Sequence, residues 1–264
     1  MSETIQTDLI YDLGMHDGQD TDFYLKKGFR VVAVEANGAL AAEGRRRFSK
    51  EIIEGRLHIL QVAVANEERS YEFIINKQNS KWSSIFKQWG ERGHKGSETE
   101  TVQGVRLENI ARVFGVPYYL KIDIEGADLI ALNAVRRMPA RPKMISVEGG
   151  GEDFLKVFAE LGYDRFAIVN QKDVPSTALP DPAREGRFAK HEFPLGATGP
   201  FGREIEGEWL TLEETARKRA EFRAIIKAIQ EKFPGDRNRI MQERQRQNLG
   251  WYDVHATTAE HLSG

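Results

Sequence analysis

Two short segments near the start of the chain combine apolar runs with acidic and glycine residues. Residues 9–18 read Leu-Ile-Tyr-Asp-Leu-Gly-Met-His-Asp-Gly, and residues 31–35 read Val-Val-Ala-Val-Glu. Glu35 follows Gly14 by 21 residues, a spacing that fits one strand–turn–helix–strand unit of the kind that binds nucleoside-containing cofactors. We therefore expect Gly14 to permit close approach of a ligand and Glu35 to accept hydrogen bonds from ribose hydroxyls.

The turn after the first segment favours a methyl donor over a dinucleotide. Dinucleotide sites usually carry Gly-x-Gly-x-x-Gly, because pyrophosphate needs backbone N–H groups at a helix N-terminus. Here the turn is Gly14-Met-His-Asp-Gly18, with Asp12 before it and Asp20 after it. Carboxylates repel a pyrophosphate but suit the ammonium and sulfonium charges of S-adenosylmethionine (SAM). The alternative to a ligand site is a purely structural turn, in which glycines connect the strand to the next helix and the aspartates cap that helix.

A second group of charged residues lies at the end of a later strand. Lys121, Asp123 and Glu125 alternate along the segment Tyr-Tyr-Leu-Lys-Ile-Asp-Ile-Glu-Gly, where a central parallel strand is normally apolar throughout. In a doubly wound sheet the first and fourth strands are neighbours at the switch point, so the turns at Gly14 and Gly126 would face each other. Asp123 would reach the amino acid part of the cofactor, and Glu125 would face the methyl acceptor. The alternative is an ion-pair network of these charges at a strand end.

Strand and helix signals alternate through residue 170, which predicts an α/β fold with a doubly wound, mostly parallel sheet. We predict a core over residues 1–170 and a C-terminal extension, packed on it, over residues 171–264. The predicted strands are residues 8–14, 30–35, 57–65, 70–76, 102–106, 118–123, 144–148 and 165–169, and the predicted helices are residues 20–27, 39–50, 108–114, 127–135 and 153–161.

Two further segments differ from the predicted strands and helices of the core in composition. Residues 77–101 are polar, include Trp82 and Trp89, and are predicted to form a long functional loop, with the tryptophans either stacking on a ligand or anchoring the loop. In the extension, a capping box at Thr211 begins a long amphipathic helix that should end before Pro234. The apolar stripe of this helix is interpreted as packing and its basic face as solvated.

Composition excludes several classes of function. The chain has 264 residues, 40% of them hydrophobic, a net charge of −2 and no cysteine. It therefore lacks disulfides, thiolate metal sites and an overall field that would recruit nucleic acid or an anionic membrane. No segment approaches the roughly 20 apolar residues of a membrane span, and the polar N-terminal residues lack the core of a signal peptide. We expect a cytoplasmic protein with no nucleic-acid partner.

Four of these segments together resemble the FkbM family of SAM-dependent methyltransferases. They are residues 12–18, 31–37, 81–84 and 119–128, and the tail residues 199–202 and 251–255 are similar to the ends of a bacterial subgroup. The resemblance covers about residues 7–170 and implies a seven-strand-type, Rossmann-like methyltransferase fold. It also implies methyl transfer, usually to an oxygen of a sugar, polyketide or other small metabolite. The chain departs from the family at His16, where many members carry Asn.

On this interpretation SAM is the cofactor, and its predicted contacts follow the motifs. The methionine part would be held by the first turn, the ribose by Glu35, and the adenine by residues 63–64 or 83–84. The full set of predicted cofactor-binding residues is Asp12, Gly14, His16, Gly18, Glu35, Ala36, Ala63, Val64, Ser84 and Asp123.

The general base stays open among Glu125, Asp123, His16 and His255. A hydroxyl acceptor needs a base, whereas a carboxylate acceptor needs only positioning. Glu148 adds a further carboxylate nearby. The spacing of these residues is not a metal signature, so we predict no metal. We predict Asp123, Glu125 and His255 as the catalytic residues and place His16 among the cofactor-binding residues.

The predicted function is O-methylation of a hydroxyl or carboxyl group on a small molecule, with sugars and secondary metabolites as the acceptor classes. The extension would complete the acceptor pocket or form a homodimer contact. One alternative is an NAD(P)-dependent oxidoreductase on a similar sheet. The other is a non-catalytic cofactor-binding or RNA-binding module that uses the basic helix.

Overall fold

A computed structural model describes residues 4–93, 95–149 and 151–263. The strands in these ranges are β1 (Ile5–Leu13), β2 (Arg30–Val34), β3 (Leu57–Leu60), β4 (Ala63–Val64), β5 (Ser70–Asn76), β6 (Ser97–Val105), β7 (Val116–Ile122), β8 (Met144–Glu148), β9 (Arg165–Asn170) and β10 (Tyr252–Thr257). The helices are α1 (Gln19–Lys26), α2 (Gly38–Arg47), α3 (Ser49–Ile53), α4 (Lys87–Gly90), α5 (Leu107–Phe114), α6 (Asp128–Ala134), α7 (Glu152–Glu160), α8 (Leu212–Lys232), α9 (Arg237–Arg246) and α10 (Ala259–Ser263).

The main sheet has seven strands in the order β3-β2-β1-β7-β8-β10-β9. Neighbours pair in parallel except β10, which runs antiparallel to both β8 and β9. This is the predicted doubly wound, mostly parallel methyltransferase-type sheet. The chain order reverses between β1 and β7, so the switch point lies between them, at the place where α/β sheets bind ligands.

Both faces of the main sheet are covered, which explains why its central strands are apolar. Along β1, Leu9 and Tyr11 pack into one core with α5, α6 and α7, while Ile10 packs into a second core with α1. All seven residues of β7 are buried. Burial on both faces therefore accounts for the continuous apolar runs that predicted these strands.

A three-stranded sheet, in the order β4-β6-β5, lies beside the main one. The prediction of a single strand over residues 57–65 was wrong, because β3 ends at Leu60 and β4 pairs with β6 in the smaller sheet. Apart from His94, which lies outside the described residues, residues 77–101 are only partly a loop. They include α4 and the first half of β6, which pairs antiparallel with β5.

The irregular segment 172–208 packs tightly on the α1 face of the sheet. The ring of Phe201 stacks on Tyr119 with ring centroids 4.6 Å apart, and Phe193 meets Phe23 edge-on at 4.8 Å. Lys27 and Glu204 form a fully buried ion pair at 2.7 Å. This part of the extension therefore serves as the cover that a helix would otherwise provide.

The rest of the extension returns to the main sheet. The predicted capping box is confirmed, since Thr211 caps α8 reciprocally with Glu214. The Phe222 ring of α8 stacks on Tyr252 of β10 at 4.6 Å, and Arg219 donates to the Gly149 carbonyl oxygen. Neither α9 nor β10 was predicted. Within the described ranges, no helix has the length and apolar character needed to cross a membrane.

Candidate active site

A cavity of about 810 Å³ opens at the carboxyl ends of the parallel strands, at the switch point. Its volume lies within the range of small-molecule and cofactor sites. One wall, which we call the β1–β2 side, consists of Gly14, His16, Glu35 and Ala36. The opposite wall, which we call the β8–β10 end, consists of Glu148, Gln171, Arg244, Trp251 and Asp253.

The turns that follow β1 and β7 touch each other, as their predicted adjacency requires. Gly14 has a φ of +86°, and a Cβ atom there would lie 1.8 Å from the backbone oxygen of Asp123. The backbone N–H of Asp123 also donates to the Leu13 oxygen at 3.0 Å. Only glycine fits this close approach, so the glycine in the first motif allows the two turns to meet.

Lys121 lies beneath these turns and is bound on several sides. Its Nζ atom donates to Asp12 at 3.0 Å and to the Gly14 carbonyl oxygen at 2.9 Å, and Asp20 and Asp123 lie at 3.4 and 3.7 Å. Burial by itself would lower the pKa of this amine, but the three carboxylates outweigh that effect and raise it well above its usual value. The ion-pair network considered as the alternative is present for Lys121 and Asp123, with Asp12 and Asp20 as further members, but Glu125 is not part of it and pairs with Arg92. This network holds the two turns from below.

Glu35 is held at the end of β2 by backbone donors. One carboxylate oxygen accepts from His16 N–H and the other from Asn37 N–H, both at 2.8 Å. Burial raises the pKa of Glu35, and these two hydrogen bonds oppose the rise. Each oxygen keeps a second acceptor direction, and the residue lies on the cavity wall.

The small sheet and the segment between its strands β5 and β6 line another part of the cavity. Ala63 and Val64 of β4 and Ser84 line it together with Phe73. Ser84 donates through its hydroxyl to the backbone oxygen of Glu125 at 2.7 Å. This hydrogen bond joins the small sheet to the turn after β7.

Glu125 projects from that turn with a left-handed backbone, at a φ of +42°. Asp128 stabilises the turn by accepting from the N–H groups of Ile124 and Gly126, both at 2.9 Å. Burial raises the pKa of Glu125 to about 7, although its ion pair with Arg92 acts in the opposite direction. A carboxyl group that titrates near neutral pH on a cavity wall can take up a proton during catalysis.

Arg92 was not predicted as a site residue. Its guanidinium lies 4.4 Å from the Trp89 ring centroid and 5.3 Å from that of Trp82, in cation–π geometry. Trp89 packs against Gly126, where a Cβ would lie 2.4 Å from the indole, whereas Trp82 lines the cavity. Trp89 therefore anchors the segment, and Trp82 is placed to contact a ligand.

The β8–β10 end brings further carboxyl groups to the cavity. Asp253 lies directly opposite Glu148 in the pairing of β10 with β8. The negative charge of Asp123, followed by burial and Asp253, raises the pKa of Glu148 to about 10. Burial, followed by Asp123, raises the pKa of Asp253 well above its usual value. Asp253 and Gln171 were not predicted as site residues. For Asp253, the signal in the sequence was the alternation of polar residues within 251–255.

Three predicted site residues do not line the cavity. Asp12 is fully buried and bonded to Lys121 and Thr21. Gly18 caps α1, and a Cβ there would lie 2.6 Å from the Phe48 ring. His255 lies deeper in β10, where burial lowers its pKa to about 3. The structure brings together the other predicted residues, namely Gly14, His16, Glu35, Ala36, Ala63, Val64, Ser84, Asp123 and Glu125.

Histidine, aspartate and glutamate side chains do not form a metal site in the part of the chain that is described. No three of them are arranged there to hold an ion. His255 does not line the cavity, so it does not join Glu125 and Glu148 there.

Comparisons with known proteins agree with this geometry. The model of the family described as "Methyltransferase FkbM domain" matches residues 12–166, which is more than half of the chain. Among curated proteins, none is significantly similar in sequence.

Solved structures of similar fold include three methyltransferases. A geranyl diphosphate methyltransferase in complex with SAM shares 10% identity, covering 98% of this chain and 81% of that one, with a TM-score of 0.40. A SAM-dependent methyltransferase from Thiobacillus denitrificans with S-adenosyl-L-homocysteine shares 11%, covering 96% and 86%, with a TM-score of 0.36. A precorrin-6y C5,15-methyltransferase from Geobacter metallireducens shares 13%, covering 63% and 69%, with a TM-score of 0.36.

The family match sets aside the oxidoreductase and the non-catalytic binding module. The motifs that carried the resemblance, the switch-point cavity and the family match over residues 12–166 agree, and SAM is the cofactor that this family uses. The chain belongs to the FkbM family of SAM-dependent methyltransferases.

Proposed function

We propose that this enzyme transfers a methyl group to a hydroxyl oxygen of a small polar acceptor, with sugars as the leading class. The observation that carries the proposal is the Glu125 carboxyl group, which lines the cavity with a pKa of about 7. A hydroxyl must lose its proton when its oxygen is methylated, whereas a carboxylate acceptor has no proton to lose. A base poised near neutral pH therefore supports a hydroxyl acceptor.

The β1–β2 side fits the cofactor by the chemistry of its groups. Glu35 retains acceptor directions for ribose hydroxyls, and the Gly14 carbonyl oxygen, which accepts from Lys121, keeps a second acceptor direction for the ammonium group of the methionine part. Ala63, Val64 and Ser84 would bound the adenine. Asp12 and Gly18 would act as positioning residues, the first through Lys121 and the second through the start of α1. When bound, SAM supplies an electrophilic methyl group on a positively charged sulfur.

The proposed reaction needs a methyl donor, which SAM would supply, and a proton acceptor, which this chain supplies. As the acceptor oxygen bonds to the methyl carbon, the carbon–sulfur bond would break and the sulfur would keep its electron pair. The hydroxyl proton passes to a carboxylate oxygen of Glu125. Arg92 opposes the rise in the pKa of Glu125, so it preserves the ionised form that accepts the proton.

Replacing Glu125 tests this proposal. In Glu125→Gln we expect kcat to fall by roughly 10²–10⁴-fold, the range typical of a lost general base, while the affinity for S-adenosylhomocysteine stays within about twofold. Transfer of labelled methyl from SAM to a panel of monosaccharides measures turnover, and calorimetry measures the affinity. Glu91→Gln, at a partly exposed residue one position from Arg92, serves as the control.

The pH dependence gives a second readout. Because the base acts in its ionised form, log(kcat/KM) of the wild-type enzyme should rise with pH up to about 7 and level off above it. Full turnover by Glu125→Gln would refute the base assignment. Failure of the wild-type protein to bind S-adenosylhomocysteine would refute the proposed function.

A further inference from the structure

The β8–β10 end contains polar groups that have no partner within the described residues. Asp253 is 5% exposed and Gln171 is 2% exposed, and both line the cavity. The Oδ1 atom of Asp253 and the Nε2 atom of Gln171 have no hydrogen-bond partner there. Buried polar groups are costly when unpaired. These two atoms therefore mark a place where a ligand supplies the missing donor and acceptor.

The charges at this end are also unbalanced. Asp253 and Glu148 face each other across β10 and β8, and the negative charge of Asp123 is the largest cause of the raised pKa of Glu148. Lys121, whose charge opposes the rise in the pKa of Asp253, is bonded to Asp12 and to the Gly14 carbonyl oxygen. Among the described residues, no basic side chain forms an ion pair with Glu148 or Asp253. Two such carboxyls ionise together only when a cation lies between them.

Arg244 is the basic residue on this wall, and among the described residues it forms no ion pair with Asp253 or Glu148. Its guanidinium donates to the Gly250 carbonyl oxygen at 2.7 Å. A divalent cation is disfavoured as the missing charge, because the described residues offer no set of three ligands. A neutral hydroxyl would satisfy Asp253 Oδ1 but would leave the facing carboxyls uncompensated. An ammonium group supplies both the positive charge and three donors.

We propose that the β8–β10 end binds a protonated amine beside a hydroxyl, so that the methyl acceptor is an amino alcohol, with amino sugars as the fitting carbohydrate class. The ammonium lies between Asp253 and Glu148, and the amide N–H of Gln171 donates to the neighbouring oxygen. Trp251, 39% exposed at the cavity wall, offers an aromatic face to the ring. This proposal rests on the proposed function, because another hydroxyl of the same acceptor must reach Glu125.

The proposal also explains which atom of the acceptor is methylated. A nitrogen held as ammonium by two carboxylates has no lone pair with which to attack the methyl carbon. The hydroxyl group lies beside the Glu125 carboxylate, which accepts its proton, so the methyl group is transferred to oxygen. The β8–β10 end would thus select the acceptor and protect its nitrogen.

Three matched sugars test the proposal: glucosamine, glucose and N-acetylglucosamine, which carry an ammonium, a hydroxyl and a neutral amide at the same ring position. With the full-length enzyme saturated with S-adenosylhomocysteine, calorimetry should show glucosamine binding at least about tenfold more tightly than glucose, equivalent to about 1.4 kcal/mol. In buffers of different ionisation enthalpy, glucosamine should release protons from the carboxyl pair, and glucose should not. Asp253→Asn should reduce the preference to about twofold or less, while exposed Asp173→Asn should retain it.

Each outcome separates this proposal from the broader one. Saturable binding of S-adenosylhomocysteine with equal affinity for glucose and glucosamine would overturn the amine site and leave methyl transfer intact. Loss of the glucosamine preference in EDTA would overturn it in favour of a metal. Absence of S-adenosylhomocysteine binding would overturn the proposed function itself. Thermal unfolding of Asp253→Asn verifies that the variant is folded, and Glu148→Gln gives an independent second variant with the same expected loss.

Discussion

The β1–β2 side and the β8–β10 end of one cavity differ in how far the chain satisfies its own charged groups. Near the β1–β2 side, Lys121 is matched with Asp12, and both oxygens of Glu35 accept backbone hydrogen bonds. At the β8–β10 end, Asp253 and Glu148 face each other without a cation, and Asp253 Oδ1 has no partner among the described residues. The charged groups of the first region are paired within the protein, whereas in the second region we propose that a ligand supplies the missing partner.

This difference predicts opposite responses to substitution. Where the charges are already paired, removal of one partner exposes the other to an apolar interior and should destabilise the fold. Where two carboxyl groups face each other, replacing one removes the repulsion that arises when both ionise, and should stabilise the fold at high pH at the expense of ligand recognition.

Lys121→Met should produce the largest loss of stability. It removes the amine that balances Asp12, Asp20 and Asp123, and loss of one member of a buried charge pair costs about 3–5 kcal/mol. Urea unfolding followed by circular dichroism measures the change. Lys50→Met, at an exposed residue 3.9 Å from Glu54, should change the free energy of unfolding by about 1 kcal/mol or less. Equal effects of the two variants would contradict the structural role of the network.

Glu35→Gln should reduce cofactor affinity with a smaller effect on the fold. The amide keeps the shape of the side chain but loses the charge, and one of the two backbone donors, at His16 or Asn37, then meets an NH₂ group. A hydrogen bond to a charged group contributes roughly 1.5–3 kcal/mol, so S-adenosylhomocysteine should bind roughly ten- to a hundredfold more weakly. Calorimetry measures this change, and unaltered affinity would show that Glu35 does not contact the ribose.

The sequence predicted the β1–β2 side well because its signals are local. The apolar runs, the glycine turn and Glu35 fall within one strand–helix–strand unit, so the spacing alone placed them. The same holds for Glu125, which follows β7 directly. The strands of the main sheet other than β10 could be predicted for the same reason, because a glycine or a charged residue marks the end of each apolar run.

The β8–β10 end could not be predicted because it is assembled from distant residues. β10 carries Asp253 and His255 and reads as a polar tail, so its place between β8 and β9 was missed. Likewise, no local pattern indicates that Arg92 pairs with Glu125, 33 residues further along the chain. The packing of Phe201 on Tyr119 is also long-range, and it turns a proline-rich segment into part of the core.

The smallest expected effect, and the one with the opposite sign, is a gain in stability for Glu148→Gln at alkaline pH. The pKa of Glu148 rises from its usual value of 4.5 to about 10, chiefly because of the Asp123 charge, so the folded protein binds this proton more tightly than the unfolded chain. The resulting stabilisation is complete below about pH 4.5 and is lost as the pH rises toward 10.

Between pH 6 and pH 9 the free energy of unfolding should therefore fall more steeply for the wild-type protein than for Glu148→Gln. At pH 9 the variant should therefore be the more stable of the two proteins. Parallel pH profiles from urea unfolding would show that the facing carboxyls of the β8–β10 end do not repel each other. The β8–β10 end would then differ from the β1–β2 side only in the unpaired atoms of Asp253 and Gln171.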